Sequence, residues 1–319
     1  MHNPIRSLLP ALAGAALLAW SGATLAAPPA LRAPGTAYPQ FASADAVKAA
    51  CDRGLTQAAA GLKVLERHPA NGRWLAAQDA YTARTEDSAN ALLFLSAVHP
   101  DKALRDAAEA CELRWNDFFS TLGQNERLYQ AARQVKPADQ TDRLLLKTLV
   151  DEFEDAGVGL PPAQRARAKQ LSDRINELNQ TFDRNIRDAN VKVAFTEAEL
   201  QGVPPAVWKD AKRDAQGGVL LGLDYPTYGP VTQLAESGAT RERMWRAKTN
   251  EGGEANLKLL AEITQLRKEY ATLFGAASWA DFVIRRRMAE TPAKVQAFLG
   301  EVKAALQARE RNEVLELRQ

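Results

Sequence analysis

The sequence predicts a mainly α-helical protein that contains one small antiparallel sheet. Apolar residues recur at intervals of three and four over most of the chain, capping residues precede these runs, and only two short segments have the pattern of strands. Of the 319 residues, 46% are hydrophobic and 25% are charged. This composition is sufficient for a buried core, and the length allows one large or two ordinary domains.

The charge balance argues against partners that bind mainly through electrostatics. The 41 Lys and Arg residues nearly equal the 39 Asp and Glu residues, which favours neither nucleic acid nor an anionic membrane surface. The basic cluster of the sequence is Arg285, Arg286 and Arg287. Such a short run would follow a phosphate backbone poorly, and we expect it to form surface salt bridges on a helix.

Residues 1–26 have the pattern of a signal peptide. Arg6 precedes an apolar run from Leu8 to Ala19, and Thr24 and Ala26 supply the small residues found before a cleavage site. A membrane anchor is the competing interpretation, but the run is shorter than the roughly 20 residues of a spanning helix. We therefore predict cleavage after Ala26 and export to the periplasm or the medium, without stable membrane association of the mature chain.

The mature chain is predicted to begin with an extended leader and to continue as a helical domain. Residues 27–42 include four prolines and one glycine, a composition typical of extended chain. Ser43 can cap the first helix of a domain that spans residues 43–319. The first five predicted helices cover roughly 43–67, 74–98, 101–123, 125–134 and 140–155.

Two later segments, near 164–188 and 255–274, carry apolar residues along one helical face and are predicted to pack together. The apolar positions are Leu171, Ile175, Leu178, Phe182 and Ile186 in the first segment and Ile263, Leu266, Tyr270 and Leu273 in the second. A further helix is predicted to begin after Thr291, because Pro292 then occupies its first position.

The predicted sheet consists of the segments 191–195 and 219–225, which have short apolar runs. A Gly-Gly turn at 217–218 precedes the second strand, and we expect the two strands to pair antiparallel. Between them, Thr196 followed by Glu199 has the pattern of a capping box and predicts another helix.

The chain contains two cysteines, Cys51 and Cys111, which fall in the first and third predicted helices of the mature protein. Export to an oxidising compartment would allow them to form a disulfide, and two buried free thiols are the alternative. A Cys2His2 metal site with His68 and His99 is a further possibility, but these spacings match no zinc-finger pattern. We predict the disulfide.

No constellation of catalytic residues can be assigned from the sequence. The three histidines are His2, His68 and His99, and none belongs to an HExxH motif or accompanies a Gly-x-Ser-x-Gly turn. Neither a Walker motif nor a Gly-x-Gly-x-x-Gly turn is present. An acidic stretch consists of Asp151, Glu152, Glu154 and Asp155. We interpret this stretch as a solvated helix face, in preference to a metal or acid/base site.

The order of several segments resembles the thimet oligopeptidase, oligopeptidase A and peptidyl-dipeptidase family of zinc metallopeptidases. The resemblance extends over nearly the whole mature chain. It is carried by VHPD at 98–101, AAEAC at 107–111, LNQTF at 178–182, FTEAELQGVP at 195–204, LDYPTYGP at 223–230, NLKLLAEITQLRKEYATLFG at 256–275, SWADF at 278–282 and RMAETP at 287–292.

The resemblance implies a two-lobed, mostly helical molecule with a deep channel that admits short peptides. In this family, the two histidines of HExxH and a downstream glutamate bind Zn²⁺, and the glutamate between the histidines is the general base. No position of this sequence matches these residues, so we assign no catalytic and no metal-binding residue in this chain. Tyr225 and Tyr228 could face the channel, although we expect them to pack against the sheet.

Two functional hypotheses follow from the resemblance. The chain is the N-terminal lobe of an exported zinc oligopeptidase whose catalytic lobe lies beyond Gln319, an expectation that also rests on a final helix with no capping signal. In that case the chain alone binds no zinc and is inactive. Alternatively, it is a non-catalytic helical peptide-binding or scaffold protein derived from that lobe. An unrelated helical protein would require a coincidental match along 256–292.

Overall fold

Residues 40–318 are described by a computed structural model, and they form twelve α-helices and one two-stranded sheet. The predicted class, mainly α with a single small sheet, is confirmed for this part of the chain. In chain order the elements are α1 (Ala44–Leu65), α2 (Gly72–Val98), α3 (Lys102–Gly123), α4 (Glu126–Gln134), α5 (Gln140–Asp155), α6 (Pro162–Ala189), β1 (Val193–Phe195), α7 (Pro205–Trp208), β2 (Val219–Leu221), α8 (Tyr225–Leu234), α9 (Gly238–Thr249), α10 (Gly253–Leu273), α11 (Trp279–Ile284) and α12 (Pro292–Glu316).

The predicted signal peptide, its cleavage point and most of the predicted leader lie outside the described residues. Helix α1 begins directly after Ser43, whose hydroxyl oxygen accepts a hydrogen bond from the Ala46 amide at 3.2 Å. The serine therefore provides the predicted N-cap, and it satisfies one of the amides that the first helical turn leaves unpaired.

Helices α1, α2 and α3 pack around the fully buried indole of Trp115. The side chains of Asn71 and Asp101 cap α2 and α3, so the boundaries of all three helices follow closely those predicted. A second core lies where α4 and α5 meet α2, and it contains Leu128 and Phe153. Gly157 ends this part of the chain with φ at +92°, a left-handed conformation that favours glycine.

The two long apolar helices pack against each other as predicted. They run antiparallel, because Arg167 near the start of α6 forms two hydrogen bonds of 2.7 and 2.9 Å to Glu269 near the end of α10. At the opposite end of the pair, the buried amide of Asn256 donates to the Phe182 carbonyl at 3.0 Å and accepts from Asn185 at 2.8 Å. The apolar interface is therefore closed at both ends by polar contacts that fix its register.

The predicted sheet is confirmed as an antiparallel pair, in which Val193 lies opposite Leu221 and Phe195 lies opposite Val219. One face of the sheet is covered by a separate core to which α8 and α9 contribute. Met244 of α9 is fully buried in this core. The small sheet therefore packs on a core of its own, to which the following helices α8 and α9 contribute.

The helix predicted to follow Thr196 is absent from the described structure, where residues 197–202 form consecutive turns. The capping box itself does form, since Glu199 accepts from the Thr196 amide at 2.8 Å and donates its own amide to the Thr196 hydroxyl at 3.3 Å. The turn cannot continue as a helix because Gly202 adopts φ +90° and Pro204 follows. The prediction was wrong because a capping box specifies a helix start, and not its length.

We expect Gly202→Ala to destabilise the chain by about 2 kcal/mol through backbone strain and a close contact. A Cβ atom at this position would lie 2.3 Å from the Leu234 carbonyl oxygen, and the φ of +90° is unfavourable for alanine. Gly72→Ala is the matched control, because a Cβ atom there has no neighbour within 4 Å. Chemical unfolding of both variants measures the difference, and equal stabilities would contradict the prediction.

Helix α12 begins as predicted, with Thr291 as its cap and Pro292 in its first turn. None of its residues is buried, and most are exposed, including Phe298 at 63% and Leu306 at 54%. Although α12 is long and several other helices exceed twenty residues, none of the helices within 40–318 is apolar enough over a sufficient length to cross a membrane.

Candidate functional site

Cys51 and Cys111, the two cysteines of the sequence, are bonded to each other in the structure. Their Cα atoms lie 6.0 Å apart, within the range that a disulfide requires. Both cysteines are buried, and the bridge joins α1 to α3. A metal site that uses the cysteine thiolates is therefore excluded in this state of the protein.

The histidines that zinc would require are each held in a local turn. His68 Nδ1 lies 3.1 Å from the Pro69 carbonyl oxygen, and His99 Nδ1 accepts from the Asp101 amide at 3.1 Å. Within residues 40–318, no group of three or more His, Cys, Asp or Glu side chains is arranged to hold a metal ion. The described residues thus do not fit the zinc of the family that the sequence resembles.

The acidic stretch at the end of α5 is not the solvated helix face that the sequence predicted. Arg286 lies against it, and its Nε donates to Asp155 and its Nη2 to Glu154, both at 2.8 Å. A third bond joins Nη1 of Arg286 to Asp151, and Arg285 also donates to Asp155. The prediction failed because the cationic partners come from a segment about 130 residues further along the chain.

We call Asp151, Glu154, Asp155, Arg285 and Arg286 the arginine–carboxylate network. The Arg residues do form salt bridges, as predicted, but these join two elements instead of lying along one helix. Arg287 remains exposed outside the network. Burial raises the pKa of Asp155, and the charges of Arg285 and Arg286 oppose that shift.

Tyr270 extends the same contact into α10. Its hydroxyl donates to the main-chain carbonyl of Asp155 at 2.6 Å, and burial raises the pKa of this tyrosine to about 12. The ring also packs against Phe282 of α11, with the centroids 5.5 Å apart. The end of α5 is therefore tied to α10 and α11 by polar and aromatic contacts, which indicates a structural role for the acidic stretch.

The two tyrosines near the sheet differ in their environments. Tyr228 is half-buried and packs against the core that covers the sheet, as predicted. Tyr225 is 77% exposed, and Lys248 Nζ lies 5.5 Å from its ring centroid. The prediction for Tyr225 was wrong because Asp224 caps α8 at this point, accepting from the Thr227 amide at 3.1 Å, and Tyr225 lies in the exposed first turn.

Comparison with known proteins identifies relatives of this chain. The model of peptidase family M3 matches residues 231–319, which include α9 to α12. Oligopeptidase A of Escherichia coli is 32% identical over 245 residues, a match that covers 70% of this chain and 36% of that protein. The thimet-like oligopeptidase of Dictyostelium discoideum is 26% identical over 254 residues, covering 75% of this chain and 38% of that protein.

The matched part of this chain belongs to peptidase family M3. Saccharolysin of Saccharomyces cerevisiae is a further relative, 27% identical over 231 residues. The chain spans only about a third of the length of these curated relatives, for example 36% of oligopeptidase A. The resemblance recognised from the sequence motifs is thereby confirmed, as a similarity to one part of these enzymes.

Proposed function

We propose that this chain forms the N-terminal helical part of a zinc-dependent oligopeptidase that hydrolyses short peptides with metal-activated water. The similarity to oligopeptidase A over 70% of the chain carries the proposal. Because the described residues do not fit a zinc site, the metal ligands and the general base would belong to another part of the polypeptide. Bound there, zinc would polarise the scissile carbonyl and lower the pKa of a water molecule.

In this proposal, the residues of the chain support the site without taking part in the chemistry. The antiparallel α6–α10 pair and the arginine–carboxylate network give a rigid wall, and rigid walls hold catalytic groups within the small tolerances that catalysis needs. The network also joins residues before the M3-matched segment 231–319 to residues inside it. Movement of one part would therefore be transmitted to the other.

We also propose that the protein is exported, with cleavage after Ala26. Two observations support this location: the signal-peptide pattern of residues 1–26 and the Cys51–Cys111 disulfide, which is a bond typical of oxidising compartments.

The proposal predicts that the complete gene product hydrolyses peptides, whereas residues 27–319 alone bind no zinc and cleave nothing. Both proteins are purified free of host peptidases, and turnover of a quenched fluorescent oligopeptide is followed with and without a chelator. Oligopeptidase A of E. coli serves as the positive control. The gene product recovered from the exported fraction is expected to begin at Ala27.

Three results would contradict the proposal. Chelator-sensitive turnover by residues 27–319, with one tightly bound zinc per chain, would place the site within this chain. A complete gene product without zinc and without activity would favour the non-catalytic peptide-binding or scaffold protein. Retention of an intact N-terminus in the cytoplasm would refute export.

A further inference from the structure

Residues 193–249, which we call the sheet module, have a core of their own. The strands β1 and β2 and the helices α7, α8 and α9 contribute to this core, and its fully buried side chains include Phe195, Val219 and Met244. In the described part of the chain, the cores formed by α1 to α6, α10 and α11 share no buried residue with it. The module is therefore stabilised mainly by packing within itself.

The ion pairs of the sheet module also close within it. Arg213 pairs with Glu197 at 2.6 Å, and Arg243 pairs with Glu199 at 3.0 Å. Among residues 40–318, no ion pair joins the module to the helices before or after it, and none of its helices or strands packs along one of those helices. The orientation of the module therefore depends mainly on the segments that connect it to the rest of the chain.

Two short linkers connect the sheet module to the antiparallel α6–α10 pair. Residues 190–192 lie between α6 and β1, and residues 250–252 lie between α9 and α10. Asn190 has a φ of +41°, and Gly252 and the first residue of α10, Gly253, have φ values of +79° and +54°. Each connection thus contains left-handed residues at the end of a helix, the kind of position that absorbs the backbone changes of a hinge.

The two linkers leave the α6–α10 pair side by side. Asn185 near the end of α6 donates to the side-chain oxygen of Asn256 near the start of α10 at 2.8 Å. Asn256 is buried, and it also donates to the Phe182 carbonyl oxygen at 3.0 Å. These bonds hold the two helix ends together. Because its two attachment points are adjacent, the module can rotate about the line that joins them, which widely separated attachment points would prevent.

We propose that the sheet module is a hinged unit that turns as a rigid body about Asn190 and Gly252–Gly253 while α6 and α10 stay fixed. The separate core, the internal ion pairs and the adjacent linkers support this inference together. Hinge movements of this kind occur in microseconds to milliseconds. They would change the accessibility of the surface at this end of the α6–α10 pair. The inference concerns the described chain and does not depend on the proposed peptidase activity.

Distances between spin labels, measured by double electron–electron resonance on the purified chain, test this proposal. Labels are attached to cysteines introduced at exposed positions, because the two native cysteines are bonded to each other and do not react. The reporter pair is Gln233→Cys in the module with Ala261→Cys in α10. One control pair lies within the module, Gln233→Cys with Ala215→Cys, and the other lies within the helix pair, Ala261→Cys with Gln164→Cys.

We expect the reporter pair to give a broader distribution of distances than either control pair. The controls should be narrow, because the module and the α6–α10 pair each move as one body. A reporter distribution as narrow as those of the controls would overturn the proposal. A broad distribution within the module would also overturn it, since the module would then not be a rigid unit.

A variant locates the hinge. Glycine occupies left-handed and other conformations more freely than asparagine, so Asn190→Gly should broaden the reporter distribution further and leave both control pairs unchanged. Gln216→Gly is the matched control, because it adds a glycine at an exposed turn inside the module, and it should leave the reporter pair unchanged. A reporter distribution in Asn190→Gly that equals that of the parent chain would refute the assignment of the hinge.

Discussion

Replacing Cys51 and Cys111 together with alanine is expected to lower the free energy of unfolding by about 4 kcal/mol. The disulfide closes a loop with a sequence separation of 60, and loop-closure entropy for this length is about 4 kcal/mol. Both side chains are buried in the core shared by α1, α2 and α3, so the alanines remain in an apolar environment. The loss therefore arises mainly from the greater freedom of the unfolded chain.

Urea unfolding of the oxidised chain and of the double variant measures this difference. Each single variant should lose nearly as much stability as the double variant, because either change removes the same bridge. Reductant should destabilise the parent chain and leave the double variant unaffected. A loss below about 1 kcal/mol would contradict the loop-closure argument, since that value is well under the entropic estimate.

The elements that could be predicted from sequence are those specified by neighbouring residues. Ser43 and Thr291 cap helices as predicted, because capping depends on residues within one turn. The spacing of apolar residues in α6 and α10 predicted both helices and their contact, since an apolar face on each requires a partner. The Gly-Gly turn at 217–218 likewise located the second strand.

The features that sequence reasoning missed depend on residues far apart in the chain. The acidic end of α5 was interpreted as solvated because Arg285 and Arg286 lie about 130 residues away. The hydrogen bond from the Tyr270 hydroxyl to the Asp155 carbonyl oxygen escaped notice for the same reason, since the two residues are 115 positions apart. The absence of a basic residue three or four positions from Glu154 and Asp155 is the one local signal that could have indicated partners elsewhere in the chain.

The arginine–carboxylate network is expected to contribute strongly to stability, so Arg286→Ala should lower the free energy of unfolding by about 3 kcal/mol. The substitution leaves Asp151, Glu154 and Asp155 close together without their shared cation. Arg286 is 24% exposed, so the loss should lie at the lower end of values for buried pairs. Arg286→Lys retains the charge but lacks the planar guanidinium, whose three nitrogens each donate to a different carboxylate, and an intermediate loss is expected.

The loss of unfolding free energy caused by Arg286→Ala should also depend on pH. Burial raises the pKa of Asp155 and Arg286 lowers it, so removing the arginine raises this pKa further in the folded state. Between the ordinary pKa of aspartate and the raised one, the folded chain then binds more protons than the unfolded chain. The free energy of unfolding of the variant consequently falls as the pH rises through this interval. The stability that the variant has lost relative to the parent chain is therefore smaller at pH 5 than at pH 8.

Arg287→Ala is the matched control, because Arg287 belongs to the same triplet but is exposed and lies outside the network. This substitution is expected to change the free energy of unfolding by no more than about 0.5 kcal/mol, the range for surface substitutions. Chemical unfolding of the three arginine variants at both pH values provides the measurement. Two results would show that the network does not stabilise the junction of α5 with the residues that follow α11. One is an equal loss of unfolding free energy in Arg286→Ala and Arg287→Ala, and the other is a loss in Arg286→Ala that is as large at pH 5 as at pH 8.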